Sequence, residues 1–148
     1  MIFLAYGVAS WVLAALLVDW RRWRLGYRTA LAAALGSSVL DMSGVGHGLF
    51  WIYRSALLPG LWPNLVLNLS LYPLGAWIFA QHLPPPGPRL WVAGLFGEAV
   101  LLAEEALLRI SGHLEYHHGW SLWASAVANA VLLTGLWLHA RWAEMSKT

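Results

Sequence analysis

Long apolar segments alternate with short polar ones along the whole chain. A helix needs about 20 apolar residues to cross a hydrocarbon core of about 30 Å. Five segments reach that length, so the pattern predicts an all-α integral membrane bundle of five transmembrane helices in a single domain. The predicted spans are residues 2–20, 27–45, 61–81, 89–112 and 120–140.

The composition agrees with a chain that lies in a membrane. Hydrophobic residues account for 59% of the 148 residues and charged residues for 11%, whereas a soluble domain carries about 25% charged residues. The absence of cysteine excludes disulfides and thiolate sites. The net charge of +2 does not indicate nucleic acid, because the basic residues lie at segment ends. The lipid bilayer is therefore the first predicted partner.

The distribution of basic residues predicts the orientation of the bundle. Cytoplasmic connections of membrane proteins are enriched in Lys and Arg. Placing the basic turn after the first span in the cytoplasm puts the N-terminus outside and the C-terminus inside, with only Arg54 and Arg109 on the outer side. The basic residues predicted inside are Arg21, Arg22, Arg24, Arg28, Arg89, Arg141 and Lys147.

Two connections have a distinctive composition. Residues 46–60 are rich in large apolar side chains around a single Arg54. They are too apolar for a free loop and too short to span, so they are predicted to form a short interfacial helix that ends at Pro59 and Gly60. The proline-rich residues 83–88 are predicted to be a stiff connector, since proline cannot continue either flanking helix.

The fourth span carries ionisable residues, which are costly in hydrocarbon and therefore need a physical reason. At about 100° per residue, Glu98, Glu105 and Arg109 share one stripe, whereas Glu104 points elsewhere. Glu105 and Arg109 have the i, i+4 order of a structural ion pair. Glu98 has no such partner.

Two interpretations of Glu98 follow from its lack of a partner. The carboxyl can act as a proton carrier or a general acid, because apolar surroundings favour its neutral form. Alternatively it is a neutral carboxyl that is hydrogen-bonded to Asn68 or Asn129.

Polar residues at helical spacing recur on other spans. The third span carries a stripe at steps of four, after which Pro73 disturbs the helix. A bundle that turns such stripes inward has a polar core that can bind a ligand, although such residues also serve as helix-packing contacts. The predicted polar core consists of Asp41, Asn64, Asn68, Tyr72, Glu98, Glu105, Arg109, Tyr116, Ser125 and Asn129.

A second group of polar residues lies between the fourth and fifth spans. His113 and His117 have a spacing that places two ligands on one face of a helical turn, with Glu115 between them and His47 predicted on the same side. These are weak metal candidates, because the flanking glycines favour an irregular turn. The alternative is interfacial histidines that hydrogen-bond headgroups or cap helices, and no metal or other cofactor is predicted.

The order of motifs resembles an uncharacterised family of small multi-pass membrane proteins of Bacilli and Clostridia. The resemblance implies the bacterial cytoplasmic membrane and supports the multi-pass topology, but this family has no established activity to carry over. Its pattern usually has Asn where this chain has His118. The matching residues are Asp19, Trp20 and Trp23; Tyr27, Arg28 and Thr29; Asp41; Leu57, Leu58 and Pro59; Tyr72 and Pro73; Glu105; Tyr116 to Trp120 (YHHGW); Ser125; and His139.

Three functions are compatible with these features. The favoured one is a non-enzymatic polytopic membrane protein whose polar intramembrane site binds or conducts a small ligand, an ion or a lipid headgroup. The second is an intramembrane enzyme that acts on a lipid or isoprenoid by acid/base or metal-assisted chemistry. The third is a scaffold or assembly subunit with a partner subunit or a second copy of itself. The common enzyme motifs are absent: there is no phosphate loop, nucleophile elbow or HExxH motif.

Overall fold

A computed structural model describes residues 1–44, 50–55, 57–58 and 60–145. These residues are mostly helical, which confirms the all-α prediction, with the addition of two short strands. Three residues that the sequence predictions used lie outside the described residues: His47, Pro59 and Lys147. The elements are α1 (Ile2–Leu17), a 3₁₀ turn (Trp20–Arg22), α2 (Trp23–Gly44), β1 (Trp51–Tyr53), α3 (Trp62–Leu69), α4 (Leu71–His82), α5 (Pro88–Ile110), β2 (Leu114–Tyr116) and α6 (Leu122–Met145).

The third predicted span is a broken helix. It consists of α3 and α4, which are separated at Ser70, where φ is −130° and ψ is −79°. The break lies one turn before Pro73, as the missing N–H and the ring of a proline require: Pro73 cannot donate to the carbonyl of Leu69. The expected disturbance at Pro73 is therefore found.

With α3 and α4 counted as one broken helix, the helices from α2 to α6 alternate in direction, whereas α1 is bent by 91° away from α2. Helix α4 packs against α1 and α2, while α6 packs against α2 and α5. Small side chains allow close approach in the middle of the bundle, where Ala33 of α2 and Ala76 of α4 meet Leu136 of α6. The outer ends of the helices therefore fall into two groups at opposite ends of the bundle, and the junction of α3 and α4 at Ser70 lies between them.

The two strands form an antiparallel pair that closes one end of the bundle. Trp51 pairs with Tyr116, and Tyr53 with Leu114. The predicted interfacial helix is thus wrong for the described residues of that connection. Aromatic and β-branched side chains suit an extended ladder, and backbone bonds extend the pairing, with His117 N donating to the Phe50 carbonyl at 2.8 Å. The two strands are far apart in the chain, with three helices between them. We use the word hairpin for this antiparallel pair, and we call the end of the bundle that it closes the hairpin end. The end that holds the 3₁₀ turn is the arginine end.

The pleat of this hairpin divides its side chains between two faces. Leu114 lies on the inner face and joins a core that Phe3, Leu67 and Leu108 supply from α1, α3 and α5. Glu115 lies on the outer face. The hairpin is thus packed onto three helices and forms a fixed cover over the interior beneath it.

Fewer helices meet the length and hydropathy criteria for a membrane span than the five that the sequence predicts. Among the described helices, the segment Leu122–Ala143 of α6 is long and apolar enough to cross a membrane. Helices α1 and α2 meet the same test only as a pair, and they are bent by 91° at the turn between them. By this criterion alone, one or two helices qualify as spans.

Candidate functional site

The predicted polar residues gather near the hairpin end in two networks, one on Glu105 and one on Asp41. In the first, Oε1 of Glu105 accepts hydrogen bonds from the Tyr116 hydroxyl at 2.6 Å and the Ser125 hydroxyl at 2.5 Å. The indole N–H of Trp120 donates to the Ser125 oxygen at 2.8 Å. We call these four residues the Glu105 network.

Local structure positions each member of the Glu105 network. The Ser121 hydroxyl accepts from the Ala124 N–H at 3.2 Å and caps the start of α6, which puts Ser125 one turn into the helix. His118 has φ 51°, in the left-handed region that Asn adopts more readily than most residues.

Arg109 does not form the expected ion pair with Glu105. Its guanidinium instead lies over the ring of Tyr116, 4.2 Å from the ring centroid. Within the part of the chain that the structure describes, the ion pairs involve Glu115 with Arg54 or His117. The prediction of an i, i+4 pair was wrong because Tyr116 and Ser125 occupy the Glu105 oxygen while Arg109 stacks on the aromatic face.

Tyr116 is held in its protonated form. Burial, reinforced by the hydrogen bond to Glu105, raises the pKa of Tyr116 to about 12. The phenol therefore donates to Glu105 across the physiological pH range. The Tyr116 phenol and the Ser125 hydroxyl thus donate directly to one carboxyl, and the Trp120 indole supports it through Ser125.

The second network surrounds Asp41, which is 7% exposed. Nδ2 of Asn68 donates to Oδ2 of Asp41 at 2.7 Å. Asn64 and Trp51 lie near the same carboxyl, but Nδ2 of Asn64, Nε1 of Trp51 and Oδ1 of Asn68 are buried and make no hydrogen bond of good geometry within the described part of the chain. The Asp41 network therefore contains unused donors and an unused acceptor, which are costly to bury.

Three tyrosines and Glu104 lie between these two networks. The hydroxyls of Tyr53 and Tyr72 are 3.3 Å apart. Glu104 is close enough to interact electrostatically with both, and with Tyr6 of α1. Oε1 of Glu104 and the hydroxyl of Tyr6 are both buried, and neither has a hydrogen-bond partner within the described part of the chain. Glu104 thus lies off the stripe of Glu105, as predicted, but its side chain also belongs to the interior.

Glu98 lies deeper along α5. Both of its carboxyl oxygens are shielded from solvent, and neither has a hydrogen-bond partner among the described residues. Neither of the two residues predicted to hydrogen-bond to Glu98 does so. Asn68 donates to Asp41, and the half-buried Asn129 makes no side-chain hydrogen bond within the described part of the chain. Glu105 is the charged group that acts on Glu98.

The segment with the weak metal candidates is extended, not helical. Because Leu114–Tyr116 form a strand, His113 and His117 do not share the face of a helical turn. Nδ1 of His113 lies 3.0 Å from the Ser111 hydroxyl. In the described residues, no group of three or more His, Asp or Glu side chains converges to hold a metal ion.

The interior beneath the hairpin thus has an uneven balance of charge. Four carboxyls lie along it, those of Asp41, Glu98, Glu104 and Glu105, whereas Arg109 is the one cation that the described residues place near them. Such a set can hold protons, or it can bind a positively charged group through carboxylate, hydroxyl and amide oxygens.

Comparisons with known proteins do not add to this picture. No family model matches the chain, and neither a curated protein nor a solved structure does. The resemblance to the small multi-pass family therefore stays a prediction.

Proposed function

We propose that the protein is a multi-pass membrane protein whose interior site, beneath an outward-facing hairpin end, binds a small cation. The resemblance noted above favours the bacterial cytoplasmic membrane. The proposal is carried by the buried Oε1 of Glu104 and the nearby hydroxyl of Tyr6, which have no hydrogen-bond partner among the described residues. The described residues around them include several carboxyls and little compensating positive charge.

The surface of the bundle supports a membrane environment. Large apolar side chains on four helices face outward, with exposed fractions of 65% for Val8, 68% for Leu35, 70% for Phe96 and 68% for Val131. Exposed apolar area of this extent is unusual for a monomeric soluble protein. Lipid would cover these side chains at no cost.

The interior supports the same placement. Its buried polar residues come from four helices and from the break between α3 and α4, while many large apolar side chains point outward. Polar groups inside a membrane bundle satisfy one another because lipid offers them nothing. The buried polar residues are Ser10, Thr29, Asp41, Asn64, Asn68, Ser70 and Ser125.

The alternation of the helices supports the proposed orientation. All the arginines of the turn after α1 lie at the arginine end, together with Arg89 and Arg141. The positive-inside bias then favours the arginine end in the cytoplasm and the hairpin end outside. The interior site would then lie near the outer side, beneath the strand pair.

The donor set favours a small ammonium-type cation. Such an ion accepts no hydrogen bonds but donates several, so it pairs with carboxylate and hydroxyl oxygens and with the faces of aromatic rings. Glu104, Tyr6, Tyr53 and Tyr72 offer these groups, and Oδ1 of Asn68 is an additional acceptor. A multidentate divalent metal would require more converging carboxylates than the described residues supply.

Ligand-induced stabilisation tests this proposal. Purified protein in nanodiscs would be heated in the presence of methylammonium, guanidinium, potassium or acetate. A ligand at a hundredfold excess over its Kd stabilises the folded state by about 2.7 kcal/mol, so methylammonium is expected to raise the unfolding temperature. Acetate, which carries the opposite charge, is expected to have no effect.

Two variants make the test specific. Glu104→Gln keeps the shape of the side chain and removes its charge, so it is expected to abolish the methylammonium effect. Glu115→Gln removes a carboxyl from the exposed outer face of the same end and is expected to leave the effect unchanged. Equal stabilisation of wild type and Glu104→Gln, or none in wild type, would overturn the proposal.

A further inference from the structure

The arginine end contains a second feature, which the interior site does not use. We propose that a groove beside the turn between α1 and α2 binds the phosphodiester headgroup of an anionic phospholipid. This inference relies on the membrane placement proposed above, with the arginine end in the cytoplasm, and not on the cation site.

The side chains that line the groove suit an anion. It has a volume of about 440 Å³ and is lined by Arg21, Arg22, Trp23, Arg24 and Leu25. Three of these five residues carry guanidinium groups, whose forked donors match the oxygens of a phosphate. The aromatic and aliphatic members give the groove an apolar wall as well as a charged one.

A second groove adjoins the first and extends the surface along α2. It has a volume of about 350 Å³, and Trp23 and Arg24 line both grooves, while Tyr27 and Arg28 line the second alone. The pair thus offers a charged part and a more apolar part side by side. A phospholipid has the same division between its headgroup and the start of its acyl chains.

Among the described residues, little negative charge compensates the positive charge of the first groove. The nearby Asp19 carboxylate accepts a hydrogen bond from the backbone N–H of Arg21 at 3.0 Å and so caps the turn. It forms no ion pair with Arg21, Arg22 or Arg24, and the ion pairs within the described residues lie at the hairpin end. Clusters of arginine at the cytoplasmic edge of a helix attract anionic lipids.

Gln81 fixes the shape of the turn. Its Oε1 accepts from the Asp19 N–H at 2.9 Å, and its Nε2 donates to the carbonyls of Asp19 at 3.1 Å and Arg22 at 3.2 Å. The ring of Trp20 packs edge-on against Trp77 at 5.6 Å. Helix α4 therefore holds the basic turn in one conformation, which lowers the entropy cost of binding.

Aromatic rings place the groove at the depth of lipid headgroups. The rings of Trp23 and Tyr27 are in contact at 5.4 Å, and the guanidinium of Arg24 lies 5.5 Å from the centre of the Trp23 ring. Trp and Tyr prefer the boundary between headgroups and acyl chains. A headgroup phosphate at the same level would meet the arginines directly.

Native mass spectrometry in mild detergent tests the inference. Full-length protein would be titrated with phosphatidylglycerol and phosphatidylcholine of the same chain length. Wild type is expected to bind the anionic lipid more tightly. The triple variant Arg21→Gln, Arg22→Gln, Arg24→Gln is expected to lose affinity for it by about a hundredfold, since each basic residue near the surface contributes about fivefold.

Two further variants separate the groove from general effects of charge and folding. Arg89→Gln removes an exposed arginine from the same end but outside the groove, and it is expected to bind both lipids as wild type does. Gln81→Leu keeps every arginine and loosens the turn. Its ratio of phosphatidylglycerol to phosphatidylcholine affinity is expected to fall between those of wild type and the triple variant, and phosphatidylcholine binding serves as its folding control.

Other results of the same titrations would contradict lipid binding at the groove. Equal binding of the two lipids by wild type, or the same loss in Arg89→Gln as in the triple variant, would overturn the inference. Displacement of phosphatidylglycerol by an equal concentration of inorganic phosphate would also overturn it, because a soluble anion would then be the better ligand. Release of the protein from membranes by alkaline carbonate would instead contradict the membrane placement itself.

Discussion

The hydroxyl of Tyr116 donates a 2.6 Å hydrogen bond to Oε1 of Glu105 and ties the strand hairpin to α5. Loss of the hydroxyl in Tyr116→Phe would leave the ring and its contact with Arg109 in place. A hydrogen bond to a carboxylate contributes about 1.5 kcal/mol or more. The variant is therefore expected to lower the free energy of unfolding by about 1.5 kcal/mol, measured by denaturant titration in detergent micelles.

Tyr27→Phe is the matched control for this prediction. Tyr27 is 41% exposed, and its ring packs on Trp23 and Trp77 without a described hydrogen bond from its hydroxyl. The control is expected to unfold as wild type does. Equal stabilities of Tyr116→Phe and wild type would show that the Glu105 network does not hold the hairpin.

The ion pair between Arg54 and Glu115 predicts a dependence of stability on pH. The hydrogen bond and charge of Arg54, 2.6 Å from the carboxylate, lower the pKa of Glu115 below its ordinary value of 4.5. A carboxyl with a lowered pKa in the folded state stabilises the protein fully above the ordinary value. That contribution is lost as the pH falls through the lowered pKa.

Comparison with Glu115→Gln isolates this contribution. The difference in unfolding temperature between wild type and the variant is expected to be small at neutral pH, because the pair is exposed, and to vanish at pH values well below 4.5. Added salt is expected to reduce it as well. A difference that grows on acidification would contradict the assigned direction.

The sequence predicts the helices well, because their signals are local. Apolar runs and proline positions lie within each segment, and Pro73 places the break between α3 and α4. The strand pair has no such local signal, since Trp51 must find Tyr116 far along the chain. The aromatic and β-branched residues of β1 were the one indication of a strand in the sequence. On sequence alone they are predicted to be part of a short interfacial helix.

Gly26 of α2 faces Trp77 of α4 at a very close approach. A Cβ atom at this position would lie 2.1 Å from Cδ1 of Trp77 and 2.8 Å from its carbonyl oxygen. Gly26→Ala must therefore push α2 away from α4, and it is expected to cost about 1 to 3 kcal/mol of stability. Thermal unfolding in detergent is the measurement.

Gly36 provides the control within the same helix. A Cβ atom there meets nothing within 4 Å, so Gly36→Ala is expected to be neutral or slightly stabilising, since alanine favours the helix. If both substitutions had the same effect, close packing at Gly26 would not be what fixes the α2 and α4 interface.

The absence of cysteine from the chain makes its topology directly measurable. Leu57→Cys places a thiol at a residue that is 54% exposed at the hairpin end, and Pro86→Cys places one in the exposed connector at the arginine end. In intact cells, a membrane-impermeant maleimide is expected to label only Leu57→Cys. After cell lysis, both variants should react, and labelling of Pro86→Cys alone in intact cells would reverse the proposed orientation.

The candidate site could be predicted in part from helical spacing. Asp41, Asn68, Glu105 and Ser125 all face the interior, as their stripes indicated. A single stripe could not reveal Glu104, because α5 packs on α6 along one side and meets the hairpin interior along another. Tyr72 continues the stripe of Asn64 and Asn68, but Tyr6, Trp51 and Tyr53 carry no spacing signal, since they come from α1 and the strand pair, which only the tertiary fold brings together.

Equilibrium binding of radiolabelled methylammonium to the protein in nanodiscs tests the cation site most directly. Wild type and Glu115→Gln are expected to show one saturable site per chain at neutral pH, and Glu104→Gln is expected to show none. Identical binding curves for wild type and Glu104→Gln, or no saturable binding to wild type, would contradict the account.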